Sequence, residues 1–328
     1  MRALVVGTGS IAKRHLANLQ SHPSVSATVM VRSRILGPDA PHHQSDTVLA
    51  SIDQAMAWGP DRVIVASPAP FHLQHAQVFA QAGVPLLIEK PLSDTWEQCD
   101  AHQPWLLQHR HQISVGYNLR YLPSAVFLCS YLHQGQLTGI SSISIEVGQY
   151  LPDWRPGSDY REQVSARKTL GGGAILELSH ELDLLIWLFG WPAGVFCRAR
   201  QTGQLDIDVE DAVDAIFALE NGVTASLHMD FLQRAVTRKI KIVSAIGNLV
   251  WNIVEDTVEL VTGTGSVQLF NPPHRDRNHS YREEMNDFIS EGRCAASVSD
   301  ALNVMKLVSA MKHSSENACF VPFGGQHG

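Results

Sequence analysis

Six residues near the amino terminus, Gly7-Thr8-Gly9-Ser10-Ile11-Ala12, constrain this chain more than any other segment. They form G-x-G-x-x-A between a short apolar run, Ala3 to Val6, and a stretch of helical periodicity, Ile11 to Gln20. A second apolar run, Ala27 to Val31, follows, so the reading is strand, helix, strand. In that setting Gly7 permits the tight turn, Gly9 lets backbone approach a pyrophosphate, and Ala12 allows the helix to pack on the strand. Thr8, Ser10 and Ile11 complete the loop and the N–H groups of the helix start. The rhythm repeats with a strand at Arg62 to Ala66, a helix at His72 to Ala82 and a strand at Pro85 to Ile88. Strands apolar throughout, set between helices, belong to a parallel sheet covered on both faces.

Past Tyr121 the pattern changes. Ile143, Ile145 and Val147 alternate with Ser144 and Glu146, as a strand with one wet face does. Asn221-Gly222, Gly247-Asn248 and Thr262-Gly263-Thr264-Gly265 read as hairpin turns. One helix is expected over roughly Ala174 to Phe189, closed by Gly190. The expected fold class is therefore α/β: a Rossmann parallel sheet over 1–121, then a substrate-binding and oligomerisation domain over 122–328 with an open, mainly antiparallel sheet. A chain of 328 residues is long enough for two such cores.

Charge narrows the partners. Twenty-five basic against 32 acidic residues give −7, with no run of five like charges, so no nucleic acid and no membrane surface is expected as a partner. A small soluble ligand remains. The five cysteines are scattered without metal-ligand spacing, which points to no metal and to the reducing cytoplasm. The opening apolar run is too short for a signal peptide or a membrane span.

Three further segments carry chemistry. At the end of the second strand, where an NAD site usually places a carboxylate, stand Arg32, Ser33 and Arg34, with none before Asp39. Arginine and serine suit a 2′-phosphate, so NADP is favoured and NAD is the alternative. Glu89-Lys90-Pro91 follows a buried strand, so Lys90 emerges at the carboxyl edge of the sheet and can donate to a reacting oxygen. Gly171-Gly172-Gly173 feeds the predicted helix, which carries Glu177, His180 and Asp183 at intervals of three. His180 can act as acid and base near neutral pH, oriented by Glu177 or Asp183. Just before that helix, Trp154, Arg155, Tyr160 and Arg161 sit in a loop whose ring faces suit a sugar and whose arginines suit a carboxylate or phosphate.

Together these segments, with Ala66-Ser67-Pro68, Gly116-Tyr117-Asn118-Leu119-Arg120-Tyr121, Val209-Glu210-Asp211 and Tyr281 to Phe288, resemble the glucose-fructose oxidoreductase, inositol dehydrogenase and MocA oxidoreductases over nearly the whole chain. The resemblance implies that Lys90 contacts substrate hydroxyl and cofactor and that His180 moves the substrate proton. It implies Ser67, Pro68, His72 and Glu89 at the cofactor, Asn118 and Arg120 at the substrate, and a homodimer or homotetramer. Two departures stand out: Glu177 lies three residues before His180 where the family has an acid four before, and Ser67 replaces a threonine. The expected activity is an NAD(P)-dependent oxidoreductase acting on a secondary alcohol or ketone of a carbohydrate, acidic or nucleotide-linked, in surface-carbohydrate synthesis. Redox-neutral epimerase or elimination chemistry on a retained cofactor, and an NADP-sensing regulator without catalysis, use the same residues.

Overall fold

In the computed structural model, which describes residues 1–32 and 48–323, the opening apolar run is β1 (Arg2–Val6), followed by α1 (Ser10–Ser21) and β2 (Ala27–Val31). The alternation continues through β3 (Val48–Leu49), α2 (Ile52–Trp58), β4 (Arg62–Val65), α3 (His72–Gln81), β5 (Leu86–Glu89), α4 (Trp96–Gln108) and β6 (Ile113–Gly116). The six strands are all parallel, in the order β3-β2-β1-β4-β5-β6. Chain direction across the sheet reverses at β1, so the loops leaving β1 and β4 diverge there and open a crevice at the carboxyl edge. Burial explains the unbroken apolar strands: Leu4, Val5, Val6, Ile64, Val65, Leu87 and Ile88 are all at most 1% exposed, because both faces carry helices.

The next stretch forms a second unit. It holds α5 (Pro123–His133), β7 (Ser142–Gly148), α6 (Ala174–Glu177), α7 (His180–Phe189), β8 (Pro192–Arg200), β9 (Ala212–Leu219), β10 (Thr224–Asp230), β11 (Thr237–Ser244), β12 (Gly247–Asn252), β13 (Thr257–Thr262) and β14 (Gly265–Phe270). The chain then runs through α8 (His279–Glu291), α9 (Val298–Asn317) and β15 (Val321–Pro322). The second sheet has nine strands in the order β14-β13-β12-β11-β7-β10-β9-β8-β15, antiparallel at every pairing except β7 with β10.

Three expectations need correction. The compact units are 1–121 with 278–305, and 122–277 with 306–328, so a single cut after residue 121 misses a returning segment. Its α8 buries Met285, Phe288 and Ile289 against α1 and the first sheet. Tyr121 Oη donates to Asp287 Oδ2 at 2.8 Å and accepts from Ala295 N–H at 2.7 Å, while Cys294 N–H donates to Ser114 Oγ at 2.8 Å. Second, the Ala174–Phe189 helix is two helices. At Leu178-Ser179 the ladder tightens to three-residue steps, Ser179 N–H to Leu176 O and Glu181 N–H to Leu178 O, so α6 ends and α7 begins afresh at His180. Third, the turn between β11 and β12 is Ala245-Ile246. Gly247 is already paired with Ser244 as the first residue of β12.

Candidate active site

The loop after β1 is built for close approach. Gly7 has φ +121°, and a Cβ there would lie 2.5 Å from Ala66 O at the end of β4, so a side chain would meet both a strained backbone and a carbonyl wall. Gly9 precedes α1 as its cap residue, with no side-chain cap and no acidic residue in the first turn. A Cβ on Gly9 would touch nothing within 4 Å. Beside it Thr8 is half-buried and Ser10 exposed, while Ile11 packs at the margin of the core. An uncapped helix start, free of carboxylates and open to solvent at the reversal point of a parallel sheet, suits the pyrophosphate of a nicotinamide dinucleotide. Arg32 directly follows β2 and donates its N–H to Leu49 O at 3.3 Å. Ser33 and Arg34 lie outside the described residues.

The ends of β4 and β5 bring Ser67, Pro68, His72, Glu89 and Lys90 to the same edge. Ser67 Oγ lies 3.0 Å from His75 Nδ1. Burial, aided by the charge of His72, pushes His75 down to about 4, so its ring is neutral at pH 7. Pro68 is half-buried and caps a 3-10 turn over Ala69–Phe71. His72 has both ring nitrogens engaged by backbone carbonyls. It is buried, with Nε2 2.6 Å from Ser67 O and Nδ1 2.9 Å from Pro91 O, and so ties the β4 loop to the lysine turn. Burial pushes it toward the neutral ring despite those two carbonyls. Glu89 is likewise inward, 6% exposed, with Oε1 2.6 Å from His15 Nε2. Lys90 follows it, half-buried at the turn.

Asn118 and Arg120 serve the fold of the first unit. Asn118 Nδ2 donates to Ser280 Oγ at 2.8 Å, and Arg120 donates to Ala295 O at 3.3 Å with Asp300 3.4 Å away. Both side chains are buried and hold the returning segment.

In the second unit the triple glycine is a close-packing device. Gly173 has φ +109°, and a Cβ would lie 2.4 Å from Glu210 Oε1. Glu210 receives the start of α6 twice, with Ala174 N–H on its carbonyl at 3.0 Å and Ile175 N–H on its carboxyl at 3.1 Å. Burial raises that carboxyl above its ordinary range in spite of these donors. His180 then opens α7, 7% exposed, with Asp183 one turn on and 1% exposed. Glu177 ends α6, and the turn Leu178-Ser179 separates it from His180 at the start of α7. Glu181, not singled out in the sequence, anchors α7. It is 1% exposed and takes a bidentate contact from Arg238 on β11, at 2.6 and 3.0 Å. The signal was there, a carboxylate inside the apolar run Leu178 to Phe189.

The aromatic and arginine loop is a chain of 3-10 turns with its polar groups largely engaged internally. Trp154 Nε1 donates to Gln149 O at 3.1 Å and its ring meets Phe231 edge-on at 5.3 Å. Arg155 donates to Gln163 Oε1 at 2.5 Å, and Tyr160 Oη accepts from Asp206 N–H at 3.2 Å. Arg161 is held by Asp159 at 2.7 Å and Asp206 at 3.5 Å, so its charge is already balanced. Its hydrogen bond holds Asp159 below the usual carboxylate range. Arg234, not singled out in the sequence, stacks over Tyr150 at 3.5 Å. Among the described residues no group of three or more His, Cys, Asp or Glu could hold a metal, and no helix is long and apolar enough to cross a membrane.

Comparison with known proteins follows this geometry. Residues 1–117 match the family model described as an oxidoreductase family with NAD-binding Rossmann fold, and residues 128–250 match the GFO/IDH/MocA C-terminal domain. The NADP(+) scyllo-inositol 2-dehydrogenase of Bacillus subtilis is 24% identical over 189 residues, covering 57% of this chain and 51% of that protein. The UDP-N-acetylglucosamine 3-dehydrogenase of Acidithiobacillus ferrooxidans is 27% identical over 246 residues, covering 74% and 71%. The chain spans about half the length of several of the curated relatives it matches. Among solved structures, the WlbA dehydrogenase from Bordetella pertussis in complex with NADH and UDP-GlcNAcA superposes with TM-score 0.79 at 19% identity, covering 99% of both chains.

Proposed function

The chain belongs to the Gfo/Idh/MocA oxidoreductase family, and from that premise we propose that it is an oxidoreductase interconverting a secondary alcohol and a ketone on a sugar or sugar derivative. The observation that carries this reading is the uncapped, carboxylate-free start of α1 at the reversal point of the parallel sheet, with Lys90 leaving the end of β5 at the same edge. Gly7, Thr8, Gly9, Ser10 and Ile11 would hold the pyrophosphate, with Ser67 and Pro68 at the neighbouring loop. A bound nicotinamide dinucleotide supplies the two-electron acceptor or donor.

The chain's own residues handle charge and proton. The Lys90 ammonium would favour the developing alkoxide, and His180 would take the hydroxyl proton, or return it in reduction. Asp183, buried one turn beyond His180, would orient the ring. Glu181 with Arg238 would keep α7 in place. NADP is the proposed cofactor and NAD the alternative: Arg32 directly follows β2, no carboxylate precedes Asp39, and one relative is an NADP(+) enzyme. A nucleotide-linked or acidic sugar is the proposed substrate, supported by a relative acting on UDP-N-acetylglucosamine; a role in surface-carbohydrate synthesis in the cytoplasm rests on that substrate. A homodimer or homotetramer through the second sheet fits its face, where Phe196 and Ile216 are 41% and 53% exposed.

The test is direct. Nucleotide released on denaturing fresh protein is identified and quantified by mass spectrometry, and turnover is followed with NADP and NAD on UDP-N-acetylglucosamine, its uronic acid and scyllo-inositol. Turnover that falls about 10²–10⁴-fold in Lys90→Ala and in His180→Ala, with nucleotide binding kept in the latter, is expected. Full activity in His180→Ala would remove it as the acid and base, and nucleotide binding without any turnover would point to a sensor.

A further inference from the structure

Beneath the lysine turn, polar groups occupy ground that the apolar core would otherwise fill. His15 stands in the buried stripe of α1 with Ala12, Leu16 and Leu19, and is fully shielded from solvent. Its Nε2 lies 2.6 Å from Glu89 Oε1. The second oxygen of Glu89 accepts the Lys90 N–H at 3.2 Å. Across the sheet Glu89 pairs with Gly116, where a Cβ would come within 3.3 Å of the carboxyl group, so the absent side chain leaves the carboxylate its room. Burial alone would raise Glu89. The His15 hydrogen bond, with the charges of His15, Lys90 and His72, outweighs it and holds the carboxyl below its ordinary range.

A buried pair of this kind adds little net stability over well-packed apolar residues, because desolvation offsets most of the attraction. Its location suggests what it does instead. Helix α1 presents the pyrophosphate site and β5 carries the lysine. The pair joins the two directly.

We propose that His15 and Glu89 are positioning residues for Lys90, locking the lysine-bearing strand end to the helix that receives the dinucleotide. This rests on the reading of Lys90 given above. The hydrogen bond to the Lys90 N–H fixes the backbone from which the side chain departs. His72 secures the other side of the turn through Pro91 O and Ser67 O.

The experiment uses the full chain with Glu89→Gln, His15→Phe, His15→Gln and Lys90→Ala. Three quantities are read: NADH and NADPH affinity by nucleotide fluorescence, the rate of Lys90 reductive methylation resolved by mass spectrometry, and turnover on UDP-N-acetylglucosamine or scyllo-inositol. In Glu89→Gln and His15→Phe, Lys90 is expected to react at least about three-fold faster, because the turn that carries it loses its anchor and opens more readily. In the same variants kcat falls about ten-fold or more, while KM and dinucleotide Kd stay within about three-fold. His15→Gln, whose amide can still donate to Glu89, should recover most of both effects. If Glu89→Gln does not fold, the two His15 variants carry the comparison. Unchanged Lys90 reactivity in folded variants overturns the positioning role. If instead Lys90→Ala turns over like the wild type, the role of Lys90 itself has failed, and the methylation rates still decide whether the pair governs the lysine.

Discussion

Glu284 on α8 offers the sharpest check on the physical account of the first unit. Its side chain is 1% exposed, and neither carboxyl oxygen has a hydrogen-bond partner among the described residues. Burial, and then the charge of Glu89, raise it well above the ordinary carboxylate value, so it is folded in as the neutral acid. A buried polar group without a partner costs about 1–3 kcal/mol, and Met matches its length without polar atoms. Glu284→Met should therefore stabilise the unit by about 1–3 kcal/mol at pH 5, less whatever imperfect packing takes back. For a unit of roughly 150 residues that is a rise of about 2–4 °C per kcal/mol in its calorimetric midpoint. The sign with pH follows from linkage. Because the folded-state pKa is raised, the folded chain keeps a proton that the unfolded chain releases above the ordinary value of 4.5, so wild-type stability falls as pH rises through that window. The advantage of Glu284→Met must widen from pH 5 to pH 7.5, and Glu284→Gln should share the pH trend while keeping the unpaired polar group. Scanning calorimetry at both pH values reads this. A Met variant less stable than the wild type, with a difference that does not move with pH, would refute the reasoning and imply that the carboxyl is hydrogen-bonded to internal water.

Other outcomes follow from single contacts. Gly7→Ala puts a methyl 2.5 Å from Ala66 O at φ +121°, so it should cost about 2–4 kcal/mol and weaken NADPH binding at least about ten-fold; titration and unfolding checks of the same sample decide it. Arg238→Leu leaves Glu181 buried without its charge partner and should destabilise the second unit by about 3 kcal/mol, read as a lower urea midpoint, whereas an unchanged midpoint would mean the pair is dispensable. His228 is raised to about 9, first by its hydrogen bond to Asp230, against burial, and then by Asp214. Its contribution to stability is therefore complete below its ordinary value of 6.5 and lost as pH climbs through about 9. The midpoint difference between wild type and His228→Gln should shrink over that range, and a constant difference would contradict it.

Much of this protein was legible in one dimension because the relevant physics is local. The turn at Gly7, the small residue at Ala12, the buried apolar strands and the period-two run at Ile143 to Val147 each declare their geometry within a few residues. So do two of the three hairpin turns. The family resemblance rested on the same short segments. What the sequence could not express was partnership at long range. Whether Asn118 and Arg120 face a ligand or stitch the fold depends on Ser280, Ala295 and Asp300, more than 160 residues away. The return of 278–305 to the first unit is a packing outcome of α8 on α1, invisible to any local pattern. The break at Leu178-Ser179, which divides the run carrying Glu177 and His180 into α6 and α7, shows only in the folded chain. Likewise His15 and Glu89, 74 positions apart, become a buried pair only when helix meets strand end. Sequence determined the kinds of element and the chemistry each could offer, since those follow from side-chain period and type. Tertiary structure decided which polar groups are consumed in holding the fold, because a hydrogen bond or a desolvated charge is settled by its partner, and the partner is chosen by packing.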